Sequence, residues 1–270
     1  MRALHAESAG VTDTQRFSLQ ALAARLGSRR ARFDVEYVDH CTSTNDVLAT
    51  RPATPGIGVV VAGRQSAGRG RRGRPWQSPP GSGLTFSCSW ALPPGTAPAG
   101  LSLVVGLAVA EALESLGARG IALKWPNDVL ADGAKLAGIL IELGTGPQGT
   151  RRAIIGIGLN LRGTPDALPP GATALCDHLD TDPGDEAVLA ALLLHLDDRL
   201  QAFAEQGFAA AREAWQARDA FAGQAVRVIG DHGEQTGQCT GVDTDGALLL
   251  RDAEGTHRVL AGDVSLRSTA

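Results

Sequence analysis

The chain has 270 residues, of which 43% are hydrophobic and 20% charged, and its formal net charge is −4. These values are typical of a globular protein with a sizeable core, and the acidic balance argues against a general nucleic-acid binder. The four cysteines are scattered without a C-x-x-C pair, which predicts neither a zinc site nor a disulfide framework and indicates a cytoplasmic location. The longest apolar runs contain too many breaks to span a bilayer, so no membrane partner is expected.

Hydrophobic periodicity predicts helices and strands through the first 220 residues. In chain order these are a disordered leader over 1–16, a helix over 18–26, a strand over 33–38, a helix over 43–48, a buried strand over 57–61, a strand over 83–92, a helix over 101–116, three strands near 121–125, 135–143 and 153–161, and a helical region over 184–215 interrupted at Gly207. Short turns join most of the strands. This favours an α+β fold with a mixed, largely antiparallel sheet and flanking helices.

The C-terminal fifty residues differ from the rest of the chain in their hydrophobic pattern. The runs "AVRVI", "TGQCTGV", "ALLLR", "HRVL" and "VSLR" are short, β-like and separated by turns. They predict a small SH3-like β-barrel. The expected division is a leader and short helix over 1–33, a main domain over 34–220 and a C-terminal domain over 221–270.

The Gly/Arg loop "GRGRRGR", residues 68–74, follows the buried strand. Arginine keeps its charge and binds phosphate or carboxylate oxygens in pairs, while glycine lets the backbone approach an anion. The chain has no Walker motif, and the loop leads to a strand, which disfavours a Rossmann site. A solvated loop and an RNA-binding segment are the alternatives. The segment is unrepeated, pinned between two strands and followed by Trp76, which favours a bound polyanion.

Four shorter motifs accompany the loop. In "KWPNDVL" the Asn-Asp pair is ordinary turn chemistry, or Asp128 holds Mg²⁺ on nucleotide phosphates. Lys135 opens an apolar strand, either as a common strand-end lysine or as a point charge reaching a pocket. The glycines of "IGIGLN" lie two apart on one face of a strand, which indicates close approach of a helix or a ligand. "STND" fits a capping box, with Ser43 at the N-cap and Asp46 three residues on.

In this order and spacing, the motifs resemble those of the bacterial biotin protein ligases. The matching stretches, between about residues 34 and 268, are Ser43-Thr44-Asn45, Gln65, 68–74, Trp76, 124–128, 135–140, 156–160, "DTDGALLL" and "GDVSLR". Each motif alone is weak, whereas the whole set is specific. The resemblance implies a class II aminoacyl-tRNA-synthetase-like core followed by an SH3-like domain. Because residues 1–33 are too few for a winged helix, the expected type is monofunctional, without a DNA-binding domain.

The resemblance implies a two-step reaction. Biotin and MgATP give biotinyl-5′-AMP and pyrophosphate, and a lysine of the biotin carboxyl carrier protein of acetyl-CoA carboxylase then attacks the mixed anhydride. The implied cofactors are therefore ATP and Mg²⁺, biotin is the substrate, and the carrier domain is the partner. Relatives of this kind often pair through their sheets, so a homodimer is one option. The rival functions are a lipoate or octanoyl ligase of the same fold and a non-catalytic RNA- or nucleotide-binding module.

Site residues follow by the same resemblance. Biotin would be bound by Ser43, Thr44, Asn45, Gln65, Gly68, Arg69, Gly70, Arg71, Lys135, Gly138, Gly156 and Gly158. ATP or the adenylate would be bound by Arg71, Arg72, Arg74, Trp76, Asn127, Lys135, Asn160 and Arg267. The catalytic residues would be Lys135, Arg69, Arg71 and Asp128, the last also as the Mg²⁺ ligand.

The implied chemistry brings one anion against another. At about 4 Å and an effective dielectric near 20, each like-charge pair costs roughly 4 kcal/mol, which fixed cations would offset. No covalent enzyme nucleophile is needed. The Gly/Arg loop is expected to close as a lid that shields the anhydride from water.

Overall fold

The computed structural model describes residues 17–266 except 53, 55, 78, 80, 146–149, 164–167 and 231–232. The predicted leader over 1–16 and the predicted nucleotide ligand Arg267 lie outside these residues. The helices are α1 (Leu19–Leu26), α2 (Thr44–Ala49), α3 (Leu101–Ser115), α4 (Asp185–Gln206) and α5 (Arg212–Gln216). The strands are β1 (Phe33–Val38), β2 (Ile57–Ala62), β3 (Gly83–Ala91), β4 (Ile121–Lys124), β5 (Asp128–Ala131), β6 (Ala134–Thr145), β7 (Arg151–Asn160), β8 (Ala225–Gly230), β9 (Gly233–Val242), β10 (Leu248–Arg251), β11 (Thr256–Val259) and β12 (Asp263–Leu266).

The main sheet has the strand order β1-β2-β3-β7-β6-β5-β4. Strands β1 and β2 are parallel, and the other neighbours are antiparallel. The predicted α+β fold with a mixed, largely antiparallel sheet is confirmed. The prediction of three strands between residues 121 and 161 was wrong, because Asp128–Ala131 forms a fourth. Asp128 was expected in a turn, and it instead opens a short strand paired on both sides.

The two faces of the main sheet differ because side chains alternate along each strand. On one face, Phe86 and Cys88 of β3 and Ile155 and Ile157 of β7 are buried in the principal core. Helices α3 and α4 pack together in this core, and α1 packs on α4. The opposite face carries small and polar side chains together with Val60 and Ile154, and it is covered in part by α2, which lies on β2, β3 and β7. The uncovered part of that face is available for a ligand.

The second sheet is antiparallel throughout, with the order β11-β10-β9-β8-β12. This sheet occupies the place of the predicted barrel, and no pairing between described residues joins β11 to β12. It shares the principal core with the main sheet. The indole Nε1 of Trp125 donates to the carbonyl of Gly246 at 3.0 Å, which ties the two sheets together. The boundaries proposed at 33/34 and 220/221 stay predictions.

Within the described ranges, no helix combines the length and the apolar character that a membrane span requires.

Candidate active site

A cleft of about 310 Å³ opens on the uncovered face of the main sheet, between α2, the Gly/Arg loop and β12. It brings together most of the predicted site residues: Ser43, Thr44, Asn45, Gln65, Arg69, Gly70, Arg71, Arg74, Trp76, Asn127, Asp128, Lys135, Gly138, Gly156, Gly158 and Asn160. Gly68 and Arg72 are not among the residues that line it. The sequence motifs, which are spread over more than a hundred positions, therefore converge on one cleft.

Strand register builds the floor of the cleft. Gly158 of β7 lies between Thr85 of β3 and Gly138 of β6, so the three share one face of the sheet. A Cβ atom on Gly158 would lie 2.2 Å from Cε2 of Trp76, and one on Gly138 would lie 3.1 Å from Cζ3. The paired glycines predicted that a group lies close to the strand backbone, and at Gly158 that group is the indole of Trp76. The glycines let an aromatic ring lie directly against the backbone.

A chain of hydrogen bonds forms one end of the cleft. The Nδ2 group of Asn45 donates to Oε2 of Glu142 at 2.6 Å. The hydroxyl of Ser87 lies 2.6 Å from both Oδ1 of Asn45 and Oγ1 of Thr44. The backbone N–H of Thr44 then donates to Oε1 of Gln65 at 2.7 Å. This polar end joins the start of α2 to β3 and β6.

Arg69 lies beside the polar end, where two carboxylates hold it. Its guanidinium donates to both carboxylate oxygens of Asp46, at 2.6 and 2.8 Å, and Nη2 lies 3.4 Å from Glu142. These hydrogen bonds raise the pKa of Arg69 and lower that of Asp46. The predicted capping box is wrong, because the side chain of the N-cap residue Ser43 makes no capping hydrogen bond and Asp46 binds Arg69. Arg69 therefore fastens the Gly/Arg loop to α2.

The rest of the Gly/Arg loop is held by Asp263 of β12. Arg71 and Arg72 each place Nη1 3.4 Å from this carboxylate, and Arg74 contacts it as well. Arg71 also donates to the carbonyl of Gly262 at 3.1 Å. Burial lowers the pKa of Arg71, although the neighbouring Asp263 opposes this effect. The loop is therefore folded against the second sheet, which argues against a solvated loop.

Asp128 and Lys135 line the cationic end of the cleft, and Lys124 lies behind them without lining it. The Nζ atom of Lys135 lies 2.6 Å from Oδ1 of Asp128, an ion pair without hydrogen-bond geometry, and Lys124 lies 3.9 Å from Oδ2. Lys135 is also 5.8 Å from the centroid of the Trp76 ring. The described residues contain no group of three or more His, Cys, Asp or Glu side chains that would hold a metal alone. A single carboxylate is nevertheless a typical protein contribution to Mg²⁺ shared with phosphates.

Sequence reasoning missed three residues of this site: Ser87, Glu142 and Asp263. The alternation in "GLTFSCSW" carried a signal for Ser87, because the polar positions between its apolar ones must share the other face of β3. Glu142 likewise interrupts an apolar strand. Asp263 lies within "GDVSLR", but nothing in the sequence pairs it with arginines nearly two hundred residues away.

Thiol chemistry is not supported at the two buried cysteines. Burial raises the pKa of Cys88 to about 12 and that of Cys239 to about 11, so both are protonated near neutral pH.

The cleft combines a polar end, a glycine floor and a cationic end. It can hold an uncharged polar group and bring a carboxylate to a phosphate without a covalent enzyme intermediate.

Comparison with known proteins places this geometry in a family. Residues 37–160 match the biotin/lipoate A/B protein ligase family, and residues 221–267 match the biotin protein ligase C-terminal domain. The bifunctional ligase/repressor BirA of Salmonella typhimurium is 39% identical, with 91% of this chain and 78% of the relative covered. The biotin–[acetyl-CoA-carboxylase] ligase of Paracoccus denitrificans is 40% identical, with coverages of 82% and 96%.

Solved structures agree with the sequence matches. The biotin protein ligase from Aquifex aeolicus in complex with biotin and ATP superposes with a TM-score of 0.76 at 33% identity, covering 87% of this chain and 98% of that one. Both the catalytic and the C-terminal regions are included in these matches. The chain belongs to the biotin/lipoate A/B protein ligase family, and its relatives and structural neighbours are biotin protein ligases.

Proposed function

We propose that this chain is an ATP-dependent biotin–[acetyl-CoA-carboxylase] ligase, which activates biotin to biotinyl-5′-AMP and transfers it to a lysine of the carboxyl carrier protein. The observation that carries the proposal is the single cleft in which the polar end beside α2 faces the cationic end at the Gly/Arg loop and Lys135. The named relatives support it, as does the Aquifex structure that binds biotin and ATP together.

The polar end is proposed to bind the ureido head of biotin. A backbone N–H can only donate, so the N–H of Thr44 fixes Oε1 of Gln65 as its acceptor and leaves Nε2 of Gln65 as a donor. Gly68 makes room for this group, because a Cβ atom there would lie 2.8 Å from Nε2. An amide donor matches the ureido carbonyl, which is an acceptor. In this proposal Gly68 shapes the site without lining it.

The cationic end is proposed to bring two anions together. A carboxylate oxygen of biotin attacks the α-phosphorus of ATP, and pyrophosphate leaves with the bonding electrons. Arg71 and Lys135 would offset the repulsion, which is roughly 4 kcal/mol for each like-charge pair at about 4 Å and an effective dielectric near 20. Asn127 helps to aim Arg71, since its Oδ1 accepts from Nη1 at 3.2 Å. Trp76 is proposed to stack near adenine, and Asn160 and Arg267 to serve the nucleotide.

Mg²⁺ is proposed to reach the site with the triphosphate. Asp128 suits it, because this carboxylate lines the cleft, is only 15% exposed, and Mg²⁺ commonly binds one or two carboxylates together with substrate phosphates. When bound, the metal would neutralise phosphate charge. Lys135 shares this carboxylate, so it is placed to contact the same phosphates as a point charge.

The first test is pyrophosphate release with biotin, ATP and a purified carrier domain. We expect release that depends on biotin, followed by a carrier that gains the mass of biotin. No release above a control without the chain would overturn the proposal. A thermal melt with biotin or lipoate separates the enzyme alternatives, because only the true substrate should raise the melting temperature strongly. The RNA-binding alternative predicts affinity that falls steeply with salt.

Removing the side chain of Arg71 should loosen retention of the intermediate. In Arg71→Gly the loop loses its contacts to Gly262 and Asn127, so we expect biotinyl-5′-AMP to dissociate about tenfold faster or more. The measurement is release of labelled adenylate in a rapid chase. Arg64→Gly is the matched control, because Arg64 is exposed and lies just before the site. If both variants hold the adenylate as long as the wild type, the lid assignment is wrong.

Partners and location complete the proposal. We expect no DNA binding, and a mobility shift with a biotin-operon promoter would contradict this expectation. A homodimer that pairs through the main sheets is proposed as an option, to be measured by analytical ultracentrifugation. A cytoplasmic location is consistent with the free state of Cys41, Cys88, Cys176 and Cys239.

A further inference from the structure

Glu142 is an acidic side chain of β6 that no sequence motif singled out. It faces the polar end of the cleft and contacts both Asn45 and Arg69. We propose that Glu142 is a positioning residue for biotin binding, which fixes the direction of the hydrogen bonds that run from β6 through Asn45 and Ser87. This inference rests on the proposed function, since it concerns how the same site recognises its substrate.

Hydrogen-bond chemistry sets the direction of the chain. An ionised carboxylate only accepts, so Glu142 requires the Nδ2 group of Asn45 as donor, at 2.6 Å. The amide oxygen of Asn45 must then face the hydroxyl of Ser87, also at 2.6 Å. A flipped amide would place Oδ1 against the carboxylate. The orientation of this amide is therefore determined by the charge on Glu142.

Burial gives this orientation its importance. Asn45 is 3% exposed and Ser87 is fully buried, so neither can exchange a lost partner for water without cost. The amide of Asn45 also lies against the backbone of Gly156, where an added Cβ atom would be only 2.4 Å from its Oδ1. The amide is thus held between the sheet backbone and Glu142.

The direction continues toward the predicted ligand. Ser87 has one hydroxyl proton, which Oδ1 of Asn45 accepts, so Thr44 must be the donor in the 2.6 Å contact between the two hydroxyls. The Oγ1 atom of Thr44, 3.1 Å from Oε1 of Gln65, then has only acceptor capacity left. A ureido group presents a carbonyl acceptor between two N–H donors, so it distinguishes donors from acceptors in the protein. A reversal of the amide of Asn45 would disturb this pattern. The nucleotide end, by contrast, shares no hydrogen bond with Glu142 among those described.

The experiment compares Glu142→Gln with Glu36→Gln. Both glutamates lie on strands of the main sheet, contact an arginine and are about equally exposed, at 44% and 46%, but Glu36 pairs with Arg51 away from the cleft. We expect Glu142→Gln to raise KM for biotin about tenfold, because glutamine can turn a donor toward Asn45. We expect kcat and KM for ATP to change less than about twofold. Glu36→Gln should leave all three constants unchanged.

Two further variants identify the route. Glu142→Asp keeps an acceptor with a charge and should recover part of the biotin affinity. Glu142→Gln combined with Asn45→Ala should be no worse for biotin than Asn45→Ala alone, since Glu142 acts through Asn45. Additive losses, or an unchanged KM for biotin in Glu142→Gln, would overturn the inference. Wild-type pyrophosphate release, measured in parallel, tests the proposed function separately. If Glu142→Gln does not fold, Glu142→Asp carries the test, alone and combined with Asn45→Ala.

Discussion

Replacing Lys135 with methionine is expected to slow pyrophosphate release about 100-fold to 1000-fold, the range found when a preorganised group that stabilises developing charge is removed. Lys135 is the cation that stands at the cleft beside both Asp128 and the ring of Trp76. Methionine has similar length and flexibility but no charge, so it removes the electrostatic contribution and keeps most of the packing. The measurement is the single-turnover rate of adenylate formation at saturating biotin and ATP.

The chain provides its own control for this prediction. Lys124 is the only other lysine of the sequence, and its Nζ lies 3.9 Å from the same aspartate, but it does not line the cleft. Lys124→Met should therefore keep a rate within a few-fold of wild type. Melting temperatures of both variants must also be compared, because Asp128 is only 15% exposed and loses a cationic neighbour in each. Equal slowing in the two variants would contradict the role proposed for Lys135.

Gly158→Ala is expected to lower kcat/KM for ATP about 100-fold. The reason is that the indole of Trp76 must shift, and a misplacement of about 1 Å in an active site can cost about 100-fold in rate. The added Cβ would lie 2.2 Å from Cε2, 2.5 Å from Cζ2 and 2.6 Å from Nε1 of Trp76. No small adjustment relieves three contacts with a rigid ring, so the indole must leave the floor of the cleft. Because Trp76 is not part of the buried core, the melting temperature should change little.

Gly144→Ala is the matched control for this variant. It lies on the neighbouring strand β6, and an added Cβ there meets no atom within 4 Å. Its kinetics should equal those of the wild type. Gly158→Ala combined with Trp76→Ala should lose no more activity than Trp76→Ala alone, since the clash is then gone. A fully active Gly158→Ala protein would contradict the proposed position of Trp76 in catalysis.

The ordered elements were largely predictable because their local signals agree with their tertiary roles. Strand β1 was predicted at its observed bounds, and α4 ends where Gly207 interrupts the helical pattern. Strand β5 was missed because it has four residues and begins with an aspartate after Pro-Asn, a combination typical of turns. Its strand state comes from pairing with β4 and β6 on either side.

The candidate site was predictable where the residue type itself limits the role. Glycines two apart on a strand indicated a close approach, and the arginine loop indicated an anion. The partner of each group was not predictable. Asp46 was predicted to cap helix α2, and it instead binds Arg69. The ion pair with the guanidinium is stronger than the capping hydrogen bond that it replaces.

By itself, the sequence determined the α+β class, the order of the elements and the chemical types gathered for binding a polar head and polyphosphate. Only the tertiary structure decided which atoms meet. Glu142 reaches Asn45 across 97 positions, and Asp263 reaches Arg71 across 192. The physical reason is that hydrogen bonds and ion pairs act over a few ångströms, so they depend on strand register and on the seating of the second sheet, which a linear pattern does not contain.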